Sequence, residues 1–137
     1  ARNLAVMSEL KTPIIVVVTG EGGSGGALAL GVGDHVSMLQ YATYSVASPE
    51  ACSSIVWRSS ENASDAAEAM KVSAHELIKI KVIDEIIDEP SGGAHRDYDI
   101  AAANIKSSLV SSLKKISVFD TKDLVERRYQ RLLTIGK

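Results

Sequence analysis

An α/β fold is predicted by three observations along the 137-residue chain. Ile14-Ile15-Val16-Val17-Val18 is a β-branched run without alternation, as expected of a parallel strand covered on both faces. Gly20 to Gly26 hold five glycines in seven residues and lead into Ala27-Leu28-Ala29-Leu30, a passage from strand through glycine loop to helix. Helical and strand-like segments then alternate before helices take over from about residue 99, an order that favours α/β with a helical C-terminal region. Residues 1–98 read as the α/β core and 99–137 as that helical region.

Each element has its own reason. Leu4, Met7 and Leu10 recur at helical spacing, and Lys11-Thr12-Pro13 breaks the helix before the apolar strand. The helix after the glycines halts near Gly31 and Gly33. His35 to Leu39 and Tyr44-Ser45-Val46 read as further strands. Ser48-Pro49-Glu50 is a helix start, with Ser as N-cap, Pro at the first helical position and Glu at the positive end of the dipole. That helix should reach Trp57. Ala63 to Met70 is alanine-rich and helical, and Ser73-Ala74-His75-Glu76 matches a capping box. Val82 to Ile87 reads as a strand, and Pro90-Ser91-Gly92-Gly93 as a loop. Ile105, Leu109, Leu113 and Ile116 mark the apolar face of a long helix. Asp120 can cap a last helix carrying Leu124, Val125, Tyr129, Leu132 and Leu133.

Composition narrows the function classes. Fifteen basic and seventeen acidic side chains leave a net charge of −2, against a dedicated nucleic-acid binder. The longest aliphatic run is far short of the ~20 residues of a membrane helix. No secretory signal pattern opens the chain, so a cytoplasmic site is expected, or the plastid stroma in a plastid-bearing source. Cys52 alone excludes an internal disulfide framework, and it makes no structural zinc site with His35, His75 and His95. The chain starts without Met, inside a helical pattern, which suggests part of a longer polypeptide. Charge is uneven: residues 1–68 carry three basic and seven acidic side chains, a net of −4, and residues 69–137 a net of +2.

The glycine segment carries the chemistry. The first N–H groups of a helix lack intrahelical partners and sit at the positive end of its dipole, so they suit an anion or a developing oxyanion. Gly20, Gly22 and Gly25 satisfy G-x-G-x-x-G, but no acid ends the next strand to hold a ribose, which speaks against a dinucleotide site. Gly22-x-Ser24-x-Gly26 matches a nucleophile elbow, with Asp84 and His95 following in an acceptable order for a serine hydrolase. A plain turn is the simplest reading, yet five glycines cost more backbone entropy than a turn requires.

Gly20 to Asp34 is similar to the second oxyanion-hole segment of the crotonase superfamily. More narrowly, the run from Gly20 to Ala29, Val32-Gly33-Asp34, Met38-Leu39-Gln40-Tyr41, Thr43 to Val46, Ser48-Pro49-Glu50, Glu89-Pro90, Gly92-Gly93-Ala94-His95 and Arg127-Arg128-Tyr129-Gln130-Arg131 resemble the carboxyltransferase α subunit of bacterial-type acetyl-CoA carboxylase. The likeness runs from the first residue nearly to the last and suggests the C-terminal part of that subunit, with a partial crotonase-like spiral fold.

The resemblance implies carboxyl transfer from carboxybiotin, borne on a biotin carboxyl carrier protein, to acetyl-CoA. The product, malonyl-CoA, opens fatty acid synthesis. It implies a β-subunit partner in an α2β2 assembly, a CoA thioester substrate and no metal in this chain. The backbone N–H of Gly25, with Gly26 beside it, would face the biotin ureido oxygen, with Gly22, Gly23, Ser24, Tyr41 and Tyr44 lining the substrate. Leu28 stands where the superfamily's hydratases carry a catalytic Glu, which speaks against a crotonase-type acyl-CoA hydratase or isomerase. A non-catalytic anion-binding module is the other alternative. Ser24 then becomes a loop residue and Glu21 a brace. Trp57 reads as a packing or interface residue and His95 as solvated on a turn. Lys106 to Lys137, at +5, read as a solvated face or an attraction to an acidic partner or CoA phosphates.

Overall fold

The computed structural model describes residues 2–136; Ala1 and Lys137, the ends of the segments read above, lie outside them. Three parallel strands form the central sheet in the order β1 (Ile15–Val18), β3 (His35–Leu39), β5 (Glu85–Ile87). Val36, Ser37, Met38 and Leu39 bury both faces of β3, whereas β1 buries Val16 and Val18 on one face and leaves Ile15 and Val17 half-buried on the other. A second, two-stranded parallel sheet joins β2 (Glu21–Gly23) to β4 (Thr43–Ser45), with Gly22 opposite Tyr44.

The helices are α1 (Arg2–Ser8), α2 (Ser24–Gly31), α3 (Pro49–Trp57), α4 (Ala63–Met70), α5 (Ala74–Leu77), α6 (Tyr98–Ile116) and α7 (Thr121–Thr134). Their caps follow the sequence where a side chain can reach. Ser48 accepts from the Ala51 N–H, Asp97 from Ile100, and Asp120 from Lys122 and Asp123. The capping box at Ser73 is a correction: its side chain makes no cap bond, and α5 is only four residues long. The strand expected over Val82 to Ile87 also starts late. Asp84 sends its own N–H to the Val36 carbonyl and its carboxylate accepts the Val36 N–H, so pairing in register begins only at Glu85.

The main departure is on α6. Leu109 and Leu113, expected on a buried face, are 36% and 48% exposed. The face turned inward instead carries Ala101, Ser108 and Ser112. The reason lies on the sheet. Glu85 projects towards α6 and needs donors, and a carboxylate left without them is costly. Ser108 donates to Glu85 Oε2 at 2.6 Å and Ser37 at 3.0 Å, with His35 Nε2 at 3.1 Å.

Burial alone would raise the Glu85 pKa, but the hydrogen bonds from Ser108, His35 and Ser37 outweigh it and hold the carboxyl below its usual range. A depressed folded value means that the stabilisation is present above the unfolded pKa of ~4.3 and is lost as pH falls through the folded value. Acid denaturation followed by circular dichroism should therefore show a shallower stability loss below about pH 4.3 in Glu85→Gln than in the parent chain.

A second tie joins the ends of the described chain. Arg128 of α7 is 1% exposed. Its Nε and Nη2 bind the two oxygens of Asp34, each at 2.9 Å. Its remaining N–H groups donate to the carbonyls of Met7, Ser8, Leu10 and Thr12. Asp34 also accepts the Ile14 N–H at 2.7 Å. One guanidinium thus fastens α7 to the end of α1, to the approach to β1 and to the turn before β3. Arg131 does the same between Asp84 and the carbonyls of Gly31 and Val82.

Candidate active site

The glycine segment is not one continuous loop. After β1, residues Glu21–Gly23 become a short strand because β4 offers them a parallel partner, and α2 begins at Ser24. Gly25 and Gly26 therefore lie in the first turn of a helix. The N-cap is Gly23, extended at φ −138° and ψ 156°, and no side chain caps the helix. The first N–H groups of α2 are thus free of both intrahelical and capping side-chain acceptors.

Two kinds of glycine can be told apart by what a Cβ would meet. At Gly22 it would come within 2.8 Å of the Tyr44 ring. At Gly33 it would come within 2.7 Å of Val16. Packing demands glycine there. At Gly20, Gly23, Gly25 and Gly26 a Cβ would meet nothing within 4 Å, and none of the four has a positive φ. Within a helix each glycine costs about 1 kcal/mol relative to alanine. Gly25 and Gly26 therefore weaken α2 without serving any contact inside this chain.

Ser24 adds a strained backbone. Its φ of 53° is uncommon for a residue with a Cβ, and such strain gathers at functional turns. With Gly22 and Gly23 it lines a cavity of about 400 Å³ completed by the hydroxyl-bearing Thr43, Ser45 and Ser48. Tyr44 is placed differently. It is 8% exposed, its hydroxyl donates to the Ala27 carbonyl, and its ring packs on Gly22. Burial pushes its pKa up against the lowering effect of Arg131, so the hydroxyl stays protonated as a donor. It holds β2 and α2 in place from below. Tyr41 is 61% exposed and lines a separate cavity, together with Thr19, Gly20 and the Gly92–His95 turn. Leu28 is 62% exposed on α2 and sets an apolar surface one turn beyond Ser24.

The hydrolase constellation is not assembled. Ser24, Asp84 and His95 line three different cavities, and Asp84 is ion-paired to Arg131. Ser24 should accordingly resist a serine-directed acylating reagent, read by intact mass; stoichiometric labelling that is lost in Ser24→Ala would restore a nucleophile. The dinucleotide pattern dissolves as well, since Gly22 lies inside β2 against Tyr44. The sequence offered Asp34 as an acid placed too early for a ribose and, with Arg128, as part of the matched blocks; their pairing carried no local signal. Among the described residues no group of three His, Cys, Asp or Glu side chains could hold a metal, and no helix is long and apolar enough to cross a membrane.

A parallel sheet followed by a strained turn and a glycine-opened helix without a side-chain cap makes this an α/β protein, and its solved neighbour supports the crotonase-like form of that fold. A crystal structure of a Pseudomonas malonate decarboxylase hetero-tetramer in complex with coenzyme A superposes with a TM-score of 0.68 over 96% of this chain and 56% of that one, at 17% identity, which supports the fold alone. The family model for acetyl co-enzyme A carboxylase carboxyltransferase-like proteins matches residues 1–136, and the chain belongs to that family. Acetyl-coenzyme A carboxylase carboxyl transferase subunit alpha of Aliivibrio fischeri is 60% identical over 136 residues, that of Vibrio cholerae 58% and that of Pasteurella multocida 57%. The chain spans 43% of the length of these relatives, and 99% of its own residues are matched.

Proposed function

We propose that this chain supplies one oxyanion-binding half of an acetyl-CoA carboxyltransferase, the enzyme that forms malonyl-CoA from acetyl-CoA and carboxybiotin. Family membership supports the reaction class. The observation that carries the site assignment is the uncapped start of α2, where Gly25 and Gly26 leave open space beside free N–H groups. Carboxybiotin, when bound, would supply the transferable carboxyl group, and negative charge would develop at its ureido oxygen. The Gly25 and Gly26 amides hold that charge at the positive end of α2, without reorganising when it develops. Tyr44 fixes the strand-to-helix geometry that aims them. Ser24 and the neighbouring hydroxyls shape the cavity, and exposed Leu28 provides no acid for water addition.

Donors for the acetyl-CoA enolate are assigned to a β-subunit partner, and delivery of biotin to a carrier protein, within an α2β2 assembly. Support comes from the named α-subunit relatives and from the unpartnered apolar side chains of Ile55 and Val56, 76% and 60% exposed on α3. A cytoplasmic location, with the plastid stroma as its counterpart in a plastid-bearing source, belongs to the same reading. The test is malonyl-CoA-dependent carboxylation of free biotin by the full-length subunit containing this chain. Activity should be absent alone and should rise to saturation as β subunit is added. Equal activity without β would reject the shared site.

A further inference from the structure

A cavity of about 410 Å³ opens at the other end of the sheet from the glycine site. Asp34 and Asp84, which immediately precede β3 and β5, mark that end, and α6 and α7 supply the remaining walls. The Gly25 and Gly26 amides lie beyond the opposite, C-terminal end of β1. Three apolar side chains line the cavity: Ile116 at the end of α6, Phe119 in the connection and Leu124 on α7. Its volume is that of a small-molecule pocket and exceeds what an inorganic ion fills.

The charges in the lining divide into paired and unpaired groups. Arg128 binds Asp34 and Arg131 binds Asp84, so these four cancel two by two. His35 is engaged with Glu85. Lys115 and Arg127 have no such partner, and neither makes an ion pair or a side-chain hydrogen bond among the described residues. Two positive charges are therefore left over on one wall. The Arg127 guanidinium sits over the Phe119 ring, 3.9 Å from its centroid. That stacking fixes where an exposed cation presents its N–H fork, directly above the apolar wall. We infer that this cavity is a binding site for a phosphate monoester with a compact apolar body. A dianion matches the two uncompensated cations, with Arg127 offering forked donors and Lys115 a point charge. The organic part lies on Ile116, Phe119 and Leu124. A monocarboxylate would leave one cation unmatched, and bare phosphate would leave the apolar wall uncovered. No group of the oxyanion site takes part, so the inference does not depend on the carboxyltransferase reading.

Isothermal titration calorimetry on the full-length subunit assembled with its β partner, at one fixed ionic strength, tests this with phenyl phosphate, inorganic phosphate and benzoate. Phenyl phosphate should bind more tightly than either of the others. Arg127→Gln and Lys115→Gln should each weaken it about tenfold, the loss of one charge-assisted contact, with kcat for carboxyl transfer and melting temperature unchanged. Lys122→Gln removes a cation of α7 outside the lining and should leave binding as it was. Saturating CoA should not displace phenyl phosphate. The inference is overturned if the parent enzyme fails to bind phenyl phosphate at millimolar concentration, or if benzoate binds as tightly. Equal losses in all three cation variants would overturn it too, because they would report surface charge rather than a site. Displacement by CoA would make the cavity part of the substrate site and remove its independence. Each of these results leaves the oxyanion assignment standing, since that rests on turnover in Gly25→Val.

Discussion

Arg128→Leu should destabilise the protein by about 3–5 kcal/mol, the usual cost of leaving one member of a buried ion pair alone. The Asp34 side chain would be left at 5% exposure with only the Ile14 N–H as donor. The carbonyls of Met7, Ser8, Leu10 and Thr12 would lose their shared donor at the same moment. Lysine is no substitute, because one ammonium cannot reproduce the forked contact to both oxygens of Asp34 and four carbonyls. Urea denaturation of the full-length subunit should show the loss as a lower midpoint at unchanged slope. The double variant Arg128→Leu, Asp34→Asn should recover part of it, since it removes the orphaned charge. A single variant within about 1 kcal/mol of the parent would show that the buried pair is dispensable.

Gly25→Val should leave the fold intact while lowering turnover by roughly 10²–10³, the range for loss of one oxyanion donor. The separation of the two effects is the informative part. A Cβ at Gly25 meets nothing within this chain, and the residue sits in a helix, where valine is intrinsically better than glycine. Stability should therefore hold or rise slightly. The branched side chain would fill the open space beside the N–H groups, on the proposed approach of the ureido oxygen. Gly22→Val makes the contrast, because its side chain would drive into Tyr44 and cost stability first. Normal kcat in a folded Gly25→Val enzyme would remove Gly25 from the site.

Where local chemistry decides an element, the sequence was readable. Ser48-Pro49-Glu50 opens α3, and β3 occupies His35–Leu39 as its apolar run indicates. Gly20 to Gly26 pointed to a helix start, which α2 supplies at Ser24, but not to β2. That strand exists only because β4, some twenty residues later, lies beside it. Leu109 and Leu113 misled for a related reason. Periodicity finds an apolar face, whereas the inward face of α6 was chosen by the need of Glu85 for the Ser108 hydroxyl. Arg128 and Asp34 meet across 94 residues, and no local pattern announces a pair so distant. Tyr44, expected to line the substrate, is buried with its ring against Gly22, a contact that no local pattern announces.

The measurement closest to the central claim removes the N–H of Gly25 while keeping every side chain. Replacing Gly25 by glycolic acid turns that amide into an ester, keeps every side chain and leaves the space beside α2 open. In the full-length subunit assembled with its β partner, kcat for carboxyl transfer should fall by roughly 10²–10³ while the melting temperature stays near that of the parent. An ester-containing enzyme that folds and turns over at the parent rate would contradict the oxyanion role of this helix start.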